Sequence, residues 1–165
     1  MEVIKGFKAF NKGLISNYNI DFKENTWFHT IGEVVYRKNG FHFCENMEDT
    51  LKYYPALHND IDIARVLGAG TIVKRSVEGY SYDDFDICIA SDIKILDVMT
   101  REEIIEEMNS HQYNIERMKR FISLYKLTDE EIEFLRQGFE AEILNRYVEY
   151  YQYGDKNAFE RKRKY

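Results

Sequence analysis

A chain of 165 residues, 44% hydrophobic and 32% charged, has the size and balance of one ordinary globular domain and lacks the low hydrophobicity that marks disorder. Its formal charge of −6 argues against a general nucleic-acid binder, which neutralises phosphates with Lys and Arg, and makes direct nucleic-acid contact unlikely beside a protein partner with a basic surface. There is no apolar run of about 18 residues and no signal pattern over Met1–Lys5, so the expectation is a cytoplasmic protein with no membrane partner.

From Glu2 to Phe10 the apolar residues Val3, Ile4, Phe7, Ala9 and Phe10 predict a first strand, with Gly6 as its place for close backbone approach. Asn11-Lys12-Gly13 is a turn signal. Tyr18, Ile20 and Phe22 alternate with polar residues and lead through Lys23-Glu24-Asn25 to Thr26–His29, which predicts a hairpin. The turn Arg37-Lys38-Asn39-Gly40 then opens a central strand, Gly40–Cys44. Met47, Leu51 and Tyr54 follow at helical spacing, and Pro55 stops that helix.

Ile61 to Val73 predicts one long strand with a bend at Gly68-Ala69-Gly70, or two shorter ones. The polar residues Lys74 to Asp84 read as a loop long enough to suspect function. Ile87–Ala90 and Ile93–Leu96 close the β-rich part. At Thr100 the period changes from 2 to 3.6. Thr100-Arg101-Glu102-Glu103 and Thr128-Asp129-Glu130-Glu131 are capping boxes, each opening a helix. Met118, Phe121, Ile122 and Tyr125 predict a further helix, and Ile132, Leu135, Phe139, Ile143, Tyr147 and Tyr150 mark one face of a long last one ending at Gly154. The fold class is therefore α+β: a β-rich antiparallel core over residues 1–98 and a C-terminal helical extension over 99–165.

The spacing of Gly40-Phe41-His42-Phe43, Thr50 and Tyr53 resembles the pattern of the ADP-ribosyltransferase fold, poly-ADP-ribose polymerases included. That resemblance implies an NAD cofactor, with Tyr53 stacking on the nicotinamide, Thr50 bonding its carboxamide and Gly6 of Lys5-Gly6 pairing with it through the backbone. It implies Asp84 as the catalytic carboxylate. The pattern has His or Arg where this chain has Lys5, and Glu where it has only Asp83, Asp84 and Asp86. A carboxylate one methylene short misplaces its oxygens by about 1 Å, which can cost on the order of 10²-fold in rate.

A second resemblance covers roughly residues 3 to 105. Lys5-Gly6-Phe7-Lys8, Gly40-Phe41-His42-Phe43-Cys44-Glu45-Asn46, the tyrosine pair before Pro55, and Ser91–Leu96 before the Thr100 helix are similar to a family of small uncharacterised phage and prophage domains. This implies a mobile-element origin and no particular activity.

His42 and Cys44 lie two apart on a strand and could ligate a metal with His58 or Cys88, but no CxxC or HExxH spacing supports it and reduced core thiols are the plainer reading. The 13 tyrosines, including Tyr147, Tyr150, Tyr151 and Tyr153, suit packing on the core or an exposed contact surface. Three functions are compatible with these residues. The first is a binding inhibitor of a host or defence nucleic-acid-handling protein, anti-CRISPR-like, docking Glu102, Glu103, Glu106 and Glu107 on a basic groove and needing no cofactor. The others are an NAD-dependent ADP-ribosyltransferase-like enzyme, with Gly6, Gly40, Thr50 and Tyr53 holding the cofactor, and a nucleotide-binding relic of one. Lys5 and the missing Glu favour the first and the last.

Overall fold

Of this chain, the computed structural model describes residues 2–16, 20–54, 57, 60–77, 85–111, 114–138 and 141–158. They fall into two units, Met1–Tyr53 with Asp60–Thr100, and Tyr54–Asn59 with Arg101–Tyr165. The first is an antiparallel sheet and the second is helical, an α+β organisation.

The first unit contains β1 (Val3–Asn11), β2 (Thr26–His29), β3 (Phe41–Phe43), β4 (Ile61–Val77) and β5 (Phe85–Val98), with a short helix α1 (Met47–Thr50) and a 3-10 turn (Leu51–Tyr53) after β3. The sheet order is β1-β4-β5-β2, with β3 also paired to β5. One edge of β5 is taken by β4, so its other edge is shared: β2 pairs from Thr26↔Ile95 to His29↔Asp92, and β3 from Phe41↔Ala90 to Phe43↔Cys88. Past β3, the amides and carbonyls of Phe7 and Cys44 exchange hydrogen bonds of 2.7 and 2.9 Å. That exchange links β3 back to β1, and β1, β4, β5 and β3 form a closed circuit.

Closure requires β4 to bend, and its sequence supplies the means. The β4–β5 register shifts at Arg65/Val66 and again at Ala69/Ile72, and Gly70 at the second shift has φ +77°, a conformation that favours glycine. Inside the circuit, Phe43 (2% exposed) joins Phe10, Phe22, Val66, Ile93 and Ile95, each worth about 1.5–3 kcal/mol when fully buried. Gly68 makes room for Phe43: a Cβ there would stand 2.3 Å from the ring. The run Ile87-Cys88-Ile89-Ala90 is apolar throughout because β5 is buried on both faces. Cys88 and Ala90 belong to the inner cluster, while Ile87 and Ile89 pack with Val34, Cys44 and Tyr36 on the outside.

Several pairings differ from those the sequence predicts. Among the described residues, Thr26–His29 forms no hairpin with the segment before it. β2 pairs with β5, and Asp21 makes one isolated bridge to Ile15. Phe22 explains the difference: its ring sits 5.2 Å from Phe10 and 4.8 Å from Phe28, filling the core rather than continuing a ladder. Tyr18 lies outside the described residues. The predicted loop from Lys74 begins as strand, since β4 continues to Val77, and its remainder over residues 78–84 lies outside the described residues. The two last apolar runs are one strand, β5, which also runs through Ser91 and Asp92. The Gly40–Cys44 strand is short and borders β5; the long β4 and β5 occupy the middle of the sheet.

The helical unit contains α2 (Arg101–Asn109), α3 (Ile115–Leu124), α4 (Asp129–Gly138), α5 (Ala141–Tyr147) and a π-helical turn (Val148–Gln152). The capping box at Thr128 is formed in both directions: Glu131 N–H donates to Thr128 Oγ1 at 3.2 Å, and Thr128 N–H to Glu131 Oε1 at 2.8 Å. Glu131 also receives two 2.8 Å hydrogen bonds from Arg101, whose guanidinium lies 4.8 Å from the Tyr125 ring centre. The start of α2 is thereby held to the start of α4.

The predicted last helix is described over α4 and α5, with residues 139 and 140, Phe139 among them, outside the described residues. Its buried positions after Leu135 are Leu144, Val148 and Gln152, while Ile143, Tyr147 and Tyr150 are half-buried. A spacing of four maintained into a π-helical turn carries the buried stripe one position away from the predicted face. Gln152, 7% exposed, completes that stripe with a polar group. Its Nε2 donates to Ile122 O at 2.6 Å and Tyr125 O at 2.8 Å, and its Oε1 accepts from Leu127 N–H at 3.0 Å. Leu57 belongs to this unit and donates its amide to Leu124 O at 2.8 Å. Among the described residues, no helix is long and apolar enough to cross a membrane.

Candidate functional site at the β3–α1 junction

Gly6 lies on β1 with the turn after β3 directly against it: a Cβ there would stand 2.5 Å from Cys44 O and 2.8 Å from the Phe43 ring. Gly40 enters β3 at φ +117°, and a Cβ would stand 2.6 Å from Ile89 Cγ2. Thr50 is buried in α1 and donates its hydroxyl to Met47 O at 2.7 Å. All three are in contact with their own chain. Tyr53, 37% exposed, is the most exposed of these four residues, and Gly40 is half-buried. Asp84 lies outside the described residues. On α2, Glu102 and Glu106 are exposed, whereas Glu103 and Glu107 are half-buried, Glu107 lying 3.7 Å from His111.

Electrostatics around β3 are set by cations. Lys8, half-buried on β1, donates to His42 O at 2.7 Å, and burial brings its pKa down to about 8. His42 Nε2 accepts from Arg37 N–H at 3.1 Å. Burial, then the charges of Lys8 and Arg37, hold that imidazole down to about 4, so it is neutral at neutral pH. Burial also raises the Tyr53 hydroxyl well above its ordinary value. Tyr36 packs on the outer cluster with its ring centre 5.6 Å from that of His42. Two guanidiniums share its ring, Arg37 at 5.2 Å and Arg75 at 4.4 Å from the centroid.

The sequence reading missed Tyr36, Arg37 and Arg75 as a group. It placed Arg37 in a turn and Arg75 in a loop, and no local spacing joins residue 36 to residue 75. The signal lies in the register, where Arg75 is opposite Ile87, on which Tyr36 packs.

The thiols are poor nucleophiles. Burial and the neighbouring Asp49 push Cys44 far above its ordinary value, and burial with Glu45 pushes Cys88 up to about 11. Neither cysteine is therefore expected to react with iodoacetamide at pH 8 in the native protein, and both are expected to react in urea; mass spectrometry of the alkylated chain checks this. Among the described residues, no three His, Cys, Asp or Glu side chains gather as metal ligands would.

An antiparallel circuit of strands carrying a short helix after β3, with a separate helical unit, defines the class of protein. The chain belongs to the family described as a domain of unknown function (DUF7666), whose model matches residues 4–107. The match runs from β1 into α2. No curated protein and no solved structure matches the chain.

Proposed function

We propose that this protein works by binding another protein, with the exposed carboxylates of α2 docking on a basic surface. The observation that carries this reading is the pair Glu102 and Glu106, one helical turn apart and exposed on α2, with no ion pair among the described residues, while Ile104, Ile105 and Met108 are buried. The net charge of −6 acts in the same direction, since like-signed charge steers a chain towards a partner of opposite sign. Concretely, the partner is a host or defence protein whose basic groove holds nucleic acid, and the chain is a phage-type, anti-CRISPR-like inhibitor acting in the cytoplasm. The NAD reading is supported mainly by the partial exposure of Tyr53, because Gly6, Gly40 and Thr50 are engaged within the chain.

Target cleavage by a panel of RNA-guided nucleases, measured with increasing amounts of the protein, tests the proposal. The wild type is expected to inhibit a member of the panel. Charge reversal at Glu102 and Glu106 together is expected to weaken inhibition about tenfold or more, as loss of close interfacial charge pairs does. Tyr53→Ala is expected to leave it unchanged. Loss of inhibition in folded Tyr53→Ala alone, with the reversed variant fully active, would replace the acidic face with the pocket.

A further inference from the structure

The group at Tyr36 brings two arginines onto one ring in the β-rich unit and forms no part of the docking face just described. Three arginines are described in that unit. Arg65 is paired with Asp97 at 2.6 Å. Arg37 and Arg75 are both exposed, both lie on one tyrosine ring, and among the described residues neither meets a carboxylate. Two like charges on one ring repel each other, and the ring's negative face offsets only part of that cost.

Beside them is the hydroxyl of the same tyrosine. Tyr36 Oη is buried and has no hydrogen-bond partner among the described residues. A buried polar atom in that state carries a desolvation cost that an incoming acceptor would relieve. The surroundings also disfavour further positive charge: His42 stays neutral next to Lys8 and Arg37, with its Nε2 engaged by the Arg37 amide.

Two planar guanidiniums held on one tyrosine ring, beside a phenolic donor without a partner among the described residues, match one chemical class, the phosphate oxyanion. It accepts paired N–H bonds from Arg in a geometry that a single lysine does not reproduce. We propose that Tyr36, Arg37 and Arg75 form a binding site for a phosphate-bearing ligand. Two arginines do not make the extended basic track that a nucleic-acid backbone needs, which fits the acidic character of the whole chain.

The test is calorimetric titration of the full chain with inorganic pyrophosphate at low ionic strength. Saturable binding is expected in the wild type. The double variant R37Q/R75Q is expected to weaken it at least tenfold, as loss of two charge-assisted bonds requires. Tyr36→Phe keeps the ring under both arginines and is expected to weaken binding a few-fold through the hydroxyl alone. Lys23→Gln, at an exposed lysine on another part of the unit, is expected to change nothing. A titration with ATP identifies the source of the phosphate: affinity equal to that of pyrophosphate means the anion alone is read, and tighter binding means a nucleoside phosphate. Absence of saturable binding at millimolar pyrophosphate overturns the proposal, as does a loss in Lys23→Gln equal to that in the double variant.

Discussion

Gly6→Ala is expected to destabilise the β-rich unit by about 2–4 kcal/mol, a large share of the roughly 5–15 kcal/mol that holds a domain folded. The added methyl would stand 2.5 Å from Cys44 O and 3.2 Å from its carbonyl carbon, both backbone atoms. A side chain in that position could rotate away. A backbone carbonyl cannot, because Cys44 O accepts the Phe7 amide at 2.7 Å and Cys44 N–H donates to Phe7 O at 2.9 Å. Relief of the clash therefore requires opening that exchange, which is the link between β3 and β1. The urea midpoint, measured beside that of Lys5→Ala on the same strand, checks this. A loss within about 0.5 kcal/mol, the range of ordinary surface substitutions, would mean that the turn does not lie against Gly6. The same experiment bears on the cofactor reading, in which Gly6→Ala would reduce NAD affinity and leave the midpoint in place.

The second large effect is expected at Gln152. Gln152→Leu keeps the approximate volume and removes three hydrogen bonds, leaving Ile122 O, Tyr125 O and Leu127 N–H without the amide that serves them. Each buried backbone group left unsatisfied costs about 1–3 kcal/mol, so the helical unit should lose about 3–5 kcal/mol once partial relaxation is allowed. Gln152→Glu separates the donor from the acceptor. It retains an oxygen for Leu127 N–H and places a second one against two carbonyl oxygens. Its loss is expected to be largest where the carboxylate is charged and to shrink in acid, where a protonated carboxyl donates again. Thermal unfolding followed at a helical wavelength, at pH 4.5 and pH 7.5, would show it. Equal losses for Gln152→Glu at both pH values would mean that the amide does not donate into the C-terminal end of α3.

Local pattern predicted elements well and partners poorly. Thr128 and Glu131 announced a helix start because a capping box is complete within four residues, and the alternation from Ile61 announced β4 because a strand's faces repeat every second residue. Pairing is another matter. Whether Thr26–His29 joins the segment before it or β5 depends on where Phe22 finds its aromatic neighbours, and those come from residues 10, 28 and 41. The face predicted for the last helix shifted for a similar reason. A stripe read at a period of 3.6 assumes a regular α-helix, and the π-helical turn at Val148–Gln152 changes the period where Gln152 has to reach α3. At the candidate site, the sequence marks Gly6 as a place of close approach and Gly40 as the end of a turn. What approaches them, Cys44 and Ile89, is set by long-range closure of the sheet. Tyr36, Arg37 and Arg75 meet through the β4–β5 register, which no short motif encodes.

The route of the chain limits how this protein can be divided. Residues Tyr54–Asn59 leave the β-rich unit for the helical one and the chain then returns at Asp60, so the two units interleave along the sequence. A gene cut after codon 100 would not release an independent module. It would keep a short strip of the missing part, with Leu57 deprived of the Leu124 carbonyl that receives its amide. Recombination at a single crossover therefore cannot exchange one unit and leave the other whole. Any relative that shares residues 4–107 but lacks the later helices leaves the amide at position 57 without the Leu124 carbonyl, to be met by water or another acceptor.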